Sequence, residues 1–108
     1  YYNGYMATRG LLEAIQRAGN TNNIAIIKQL EGRMFSGLDR MQHHDAFMDP
    51  DTHQLQQTIY LAAANRAGKE KDDIFQILTS ASPDAVRDTD SAKACKLESY
   101  ASTPSFDA

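Results

Sequence analysis

The stretch Asn3-Gly4-Tyr5-Met6-Ala7-Thr8-Arg9-Gly10-Leu11-Leu12-Glu13-Ala14-Ile15-Gln16-Arg17-Ala18-Gly19 carries the clearest structural signal in the chain. Its apolar residues return at helical spacing, which puts Tyr5, Thr8, Leu11, Leu12, Ile15 and Ala18 on one broad face. Arg9, Glu13 and Arg17 stand opposite at steps of four, where unlike charges support a helix. Ala7, Gly10, Ala14 and Ala18 form a small-residue edge that admits close approach of another element, with ordinary packing as its plain meaning. Gly19 is placed to end the helix as a left-handed C′ residue.

Beyond it, Thr21-Asn22-Asn23 offers N-cap side chains, and Ile24, Ile27, Leu30 and Met34 follow on one stripe. This predicts a short second helix near Asn23 to Glu31, closed by Gly32. Met41 to Met48 and Gln54 to Leu61 then flank Asp49-Pro50-Asp51-Thr52-His53, where Pro50 presets φ and both Asp side chains can bond their local backbone. A hairpin is expected, with Leu55, Gln57, Ile59 and Leu61 on one side and Gln54, Gln56, Thr58 and Tyr60 on the other.

After the polar connector Asn65-Arg66-Ala67-Gly68-Lys69, the acids Glu70, Asp72 and Asp73 suit the positive end of a third helix. Ile74, Ile77, Leu78 and Ala81 would form its buried stripe, with Phe75 at the margin and Pro83 as the stop. Ser82-Pro83-Asp84 reads as a fresh N-cap with proline at N1, starting one short turn through Val86. From Arg87 the chain is polar, and the tail Ser99 to Ala108 carries Tyr100 and Phe106, which suits a segment strapped over a larger body.

The expected fold class is therefore α+β, with about three helices and a β-hairpin over residues 1–108. Residues 1–64 hold the helix-helix-hairpin part and residues 65–108 a helical C-terminal tail. Several apolar helix faces have too few strands to receive them. Either they dock on something outside this sequence, or the chain is a self-contained small α+β interaction domain or a homo-oligomer.

Composition narrows the function classes. The 108 residues hold 14 acids against 11 bases, a formal net charge of −3, so no basic surplus exists to neutralise the phosphates of a nucleic acid. Apolar runs such as Ile24-Ala25-Ile26-Ile27 fall far short of the roughly 20 residues that span a bilayer, so a soluble chain is expected. The single Cys95 has no internal disulfide partner. The chain starts Tyr1-Tyr2-Asn3, with neither initiator Met nor signal-type stretch, and is expected to be a processed chain or a fragment.

Reactive constellations are weak. His43 and His44, with His53 across the turn, form the one metal-like cluster, but neighbours on a strand point to opposite faces, so surface or hinge histidines are expected. Asp49-Pro50-Asp51 lacks the glycine and distal glutamate of a calcium loop. Ser36, Ser80, Ser82 and Ser91 lack a nucleophile-elbow context, Cys95 lies between Lys93 and Lys96 with no nearby histidine, and no glycine spacing cradles phosphate. No catalytic residue, metal site or cofactor is assigned. Tyr2, Asn3 and Tyr5 are the candidate ligand-binding residues, since they join apolar faces to hydrogen-bonding tips at a helix N-terminus. Tyr5 also falls on the expected buried face, where core packing is the stronger expectation.

The run Tyr1 to Gly19 resembles the late helix of type I periplasmic substrate-binding proteins, the Leu/Ile/Val-binding-protein-like receptors of ABC importers. Ile24-Ala25-Ile26-Ile27-Lys28-Gln29-Leu30-Glu31-Gly32 resembles the next helix, followed by Phe35-Ser36-Gly37. Asp49-Pro50-Asp51-Thr52-His53-Gln54 with Thr58-Ile59-Tyr60-Leu61 is similar to the turn and strand after it. The similarity covers about Tyr1 to Ala64 and extends less closely to Ala94-Cys95-Lys96-Leu97. It implies the C-terminal portion of a two-lobed α/β receptor, periplasmic and without enzymatic activity. Such a receptor closes on an amino acid or related small polar metabolite and presents it to a membrane permease. The resemblance places Tyr2, Asn3 and Tyr5 near the cleft-facing helix start, gives residues 41–61 a hinge and scaffold role, and offers Cys95 a disulfide partner in the remaining chain.

Overall fold

Helix α1 (Tyr2–Ala18) forms where the long periodic stretch predicts it and ends at Gly19, whose φ of 69° lets its N–H close onto the Ile15 carbonyl. Helix α2 (Asn23–Leu30) starts at Asn22, whose side chain accepts the Ala25 N–H. The chain then makes three short strands, β1 (Met34–Phe35), β2 (Ala46–Met48) and β3 (Leu55–Gln56), in a sheet ordered β1-β2-β3. A second, two-stranded sheet pairs β4 (Ile59–Ala64) with β5 (Phe75–Ala81), and the short helices α3 (Pro83–Val86) and α4 (Thr89–Ala94) follow. This computed structural model describes residues 1–107, Ser91 by its backbone alone. The fold is a small mixed α+β structure with two antiparallel sheets.

The predicted hairpin holds at its turn. Asp49 Oδ1 accepts the Asp51 N–H at 2.9 Å, Asp49 N–H donates to the Gln54 carbonyl, and β2 and β3 pair Phe47 with Gln56 and Met48 with Leu55. Its arms are shorter than expected. Residues 36–45 form a loop, because Met41 adopts a φ of 54° that no strand tolerates, and Gly37 lies where a Cβ would come within 2.7 Å of the His44 carbonyl oxygen.

The expected third helix is a correction. Residues 75–81 are strand β5, held by β4 from Ala64↔Phe75 to Ile59↔Ala81. Between Leu61↔Thr79 and Ala62↔Ile77 the register shifts, leaving Leu78 as the extra residue of a bulge. That insertion breaks strict alternation, so Ile74, Ile77, Leu78 and Ala81 mimic helical spacing. The acids expected at a helix start sit in the connecting loop, where Asn65 Nδ2 donates to Asp73 Oδ1 at 2.9 Å and Asn65 N–H to the Ile74 carbonyl. Ser82 caps α3 with Pro83 in the first turn, as the sequence predicts.

A second correction concerns α1. Its buried residues are Met6 and Ala14, with Gly10 between them facing the Phe35 ring, whereas Tyr5, Leu11 and Leu12 are exposed. The small-residue edge is the side that approaches the rest of the chain. Of the bulkier face, Ile15 and Ala18 are half-buried, while Tyr5, Leu11 and Leu12 stay uncovered among the described residues.

The core is thin: Met6, Ala14 and Ala46 are its buried apolar residues among those described. The accessible surface is 8108 Å², against about 6,000 Å² for a compact monomer of this length. The radius of gyration is 17.1 Å and the extents are 55 × 33 × 19 Å, where a compact chain would have a radius near 13 Å. Ile59, Leu61, Ile74, Phe75, Ile77 and Leu78 stand exposed along the β4–β5 ribbon. No helix of the described residues is long and apolar enough to cross a membrane.

Candidate functional site

The first turn of α1 borders a cleft of about 460 Å³ that is also lined by Met41, Gln42, Gln57, Thr58, Ile59 and Tyr60. Tyr2 and Asn3 both line it. Tyr5 does not: its ring is exposed on a separate shallow groove with Thr8, Leu12 and Gln16. The candidate residues thus divide, and the burial expected for Tyr5 is overturned because nothing among the described residues covers its ring.

Tyr2 is tied down at its tip, where the hydroxyl donates to the Arg40 carbonyl at 2.5 Å, and the Arg40 guanidinium lies 5.9 Å from the ring centre. Arg40 is 7% exposed and donates through Nη2 to Gln57 Oε1 at 2.9 Å, an oxygen that Gln42 Nε2 also approaches at 3.5 Å. Gln42 Oε1 is buried and finds no donor among the described residues. No side chain caps α1 and no acid occupies its first turn, so its first N–H groups bring the positive end of the helix dipole to this cleft.

The loop 36–45 is fastened to the chain between β3 and β4. The His44 N–H donates to Thr58 Oγ1 at 3.2 Å, the His43 N–H to the Tyr60 hydroxyl at 2.9 Å, and the Gly37 N–H to Asp45 Oδ1 at 2.7 Å. Tyr60 also meets the His43 ring edge-on at 5.3 Å, and His43 Nδ1 lies 3.1 Å from Ser80 Oγ. His43 and His44 therefore serve the loop. His53 turns away, placing Nε2 2.7 Å from Glu31 Oε1, and the described residues hold no group of three or more His, Cys, Asp or Glu able to bind a metal ion. Cys95 is exposed just after α4.

Sequence reasoning missed Gln42, Gln57 and Tyr60 as cleft residues, and Arg40 as the residue that holds Tyr2 and Gln57 from behind. Their signal was slight: Gln57-Thr58 falls where the chain leaves one sheet for the other, so the face alternation is reset there. Arg40 gave no local sign at all, since its role depends on a glutamine 17 residues away.

The tail lies against α2 of this chain. Asn23 exchanges two hydrogen bonds with the Phe106 backbone at 3.1 and 2.7 Å, and Asn22 Nδ2 donates to Asp107 Oδ1 at 2.8 Å. Tyr100 donates its hydroxyl to Glu31, below the Lys28 ammonium at 5.1 Å. Burial pulls the Glu31 carboxyl upward, but hydrogen bonds from Tyr100 and His53 outweigh it and leave the group below the usual range. Desolvation and the same bond push the Tyr100 phenol up to about 12.

No protein-family profile, curated protein or solved structure matches the chain.

Proposed function

We propose that this chain forms part of the extracytoplasmic solute-binding component of an ABC importer, which takes an amino acid or related small polar metabolite in the periplasm and delivers it to a membrane permease. The observation that carries the proposal is the uncovered apolar surface of α1 and of the β4–β5 ribbon, which has the character of one layer of a larger α/β body. The residues that carry the resemblance fall in α1, in α2, at β1, in the turn between β2 and β3 and at the start of β4. Within that body Tyr2 and Asn3, at the electropositive start of α1, meet the ligand's carboxylate, and Gln42 offers an acceptor to its ammonium group. Residues 41–61 act as scaffold and hinge, with the His43 and His44 N–H groups fastened to Tyr60 and Thr58.

The test is calorimetry with a panel of amino acids on the natural polypeptide that carries this chain, alongside the 108 residues alone. Saturable binding by the former and none by the latter is expected. A natural polypeptide that binds no amino acid or related metabolite sinks the proposal.

The exposed β4–β5 ribbon also favours a second reading, an interaction domain that self-associates without a small-molecule ligand, because a two-stranded ribbon uncovered on both faces is marginal in water. Sedimentation velocity of the natural polypeptide separates the two: a ligand-free obligate oligomer supports the second, a ligand-binding monomer the first.

A further inference from the structure

A second concavity, apart from the cleft at the start of α1, lies between α1 and β1 and holds about 500 Å³. Four arginines line it, Arg9, Arg17, Arg33 and Arg40, against two acids, Glu13 and Asp39. This leaves a local surplus of two positive charges on a chain whose net charge is −3.

Arg33 and Arg40 are the informative pair. The Arg33 side chain is 9% exposed, and both guanidiniums lie against the Phe35 ring, 4.5 and 5.7 Å from its centre. Arg33 spends Nη2 on Glu13, which also accepts from Arg9 Nε at 2.9 Å, and Arg40 spends Nη2 on Gln57. Arg33 Nε, Arg33 Nη1 and Arg40 Nε are buried and find no acceptor among the described residues. A guanidinium cannot relieve such a deficit by losing its proton, so these donors stay cationic at any ordinary pH. Glu13 already accepts at both oxygens, from Arg9 Nε and Arg33 Nη2, and makes no bond to Arg33 Nε or Nη1.

We propose that this cleft binds a small dianion through carboxylate or phosphate oxygens. Rotation about the Cδ–Nε bonds of Arg33 and Arg40 exchanges their Nη2 bonds to Glu13 and Gln57 for the ligand and turns the buried N–H groups onto it, over the Phe35 ring. Two negative charges match the surplus of two, and the volume lies within the range of small-ligand sites. Arg17, at the exposed rim, attracts the ligand by charge. The site uses none of the residues assigned to the amino-acid cleft except Arg40, which reaches that cleft through its backbone and Gln57 bond, so it does not rest on the receptor proposal.

The experiment titrates succinate and inorganic phosphate into the natural polypeptide that carries this chain, at fixed ionic strength, with chloride as the control. Calorimetry is combined with the arginine Nε–H resonances in ¹H–¹⁵N spectra. At least one dianion should bind saturably and move the Arg33 and Arg40 Nε–H resonances, and the two arms identify the oxyanion. Arg17→Glu cancels the local surplus at an exposed position, and should weaken binding roughly tenfold with the helical circular dichroism unchanged. Resonances that respond to neither anion beyond chloride, or an Arg17→Glu chain that binds as tightly as the parent, would overturn the proposal.

Discussion

Replacing Asp49 tests whether a buried carboxylate holds the β2–β3 turn. The residue is 1% exposed and its atoms are fully committed: Oδ1 accepts the Asp51 N–H at 2.9 Å and Oδ2 the Arg87 Nη2 at 2.7 Å. Its carbonyl accepts the His53 N–H at 2.9 Å, which closes the turn with His53 at a φ of 56°. Hydrogen bonds to a charged group contribute about 1.5–3 kcal/mol each when buried. The Arg87 side chain is 41% exposed, so that half of the interaction is discounted to about 0.5–1 kcal/mol. Asp49→Ala, which removes both bonds, should therefore cost about 2–4 kcal/mol, and Asp49→Asn, which keeps an acceptor but loses the charge, about 1–2 kcal/mol.

The pH dependence has a definite sign. The Asp51 N–H bond, opposed by burial and reinforced by Arg87, holds the Asp49 carboxyl below its usual range. A depressed carboxyl stabilises the fold above its unfolded value, near 4, and that stability is lost as pH falls through the lower folded value. Urea unfolding followed by circular dichroism should thus show the parent ahead of Asp49→Asn at neutral pH, with the gap narrowing below about pH 4. An Asp49→Ala midpoint equal to the parent's, or a gap of constant size from neutral to acid pH, refutes the reasoning.

Two further outcomes follow from the fastening of loop and tail. Thr58, 3% exposed, gives the His44 N–H its acceptor; Thr58→Val should cost about 1–2 kcal/mol, and amide exchange at His44 should accelerate, whereas unchanged exchange would show that the loop is held elsewhere. Tyr100 ionises near 12 because burial and the Glu31 bond favour the neutral phenol, so its stabilisation is complete below about 10 and is lost as pH rises through the folded value. Tyrosine absorbance titration should lose its latest component in Tyr100→Phe, and that component should move to lower pH in Glu31→Gln; a late component that survives Tyr100→Phe contradicts the assignment.

What was legible in the sequence is what neighbours within a few residues decide. The extents of α1 and α2, the Asn22 and Ser82 caps, the left-handed Gly19 and the Asp49 turn all rest on backbone groups satisfied by side chains close by in the chain. The site was legible only in part: Tyr2 and Asn3 reach a cleft, but Tyr5 does not, and the residues across from them come from positions about 40 to 60. Arg33 and Arg40 carried no sequence signal, because an unmet donor exists only once burial has removed water.

The tertiary structure alone decided three matters. Residues 75–81 become a strand because β4 supplies partners for their backbone, and the Leu78 bulge hides the alternation that would have announced it. α1 turns its Met6-Gly10-Ala14 edge inward because that edge permits the closest approach to Phe35 and α2, leaving the larger residues outward. The loop 36–45 stays a loop because Met41 and Gly37 are held in shapes a strand cannot adopt. Local chemistry thus set α1, α2, the short turn α3, their caps and the Asp49 turn from sequence alone; strand pairing, the buried face and the meeting of arginines needed contacts distant along the chain, whose energies no local pattern encodes.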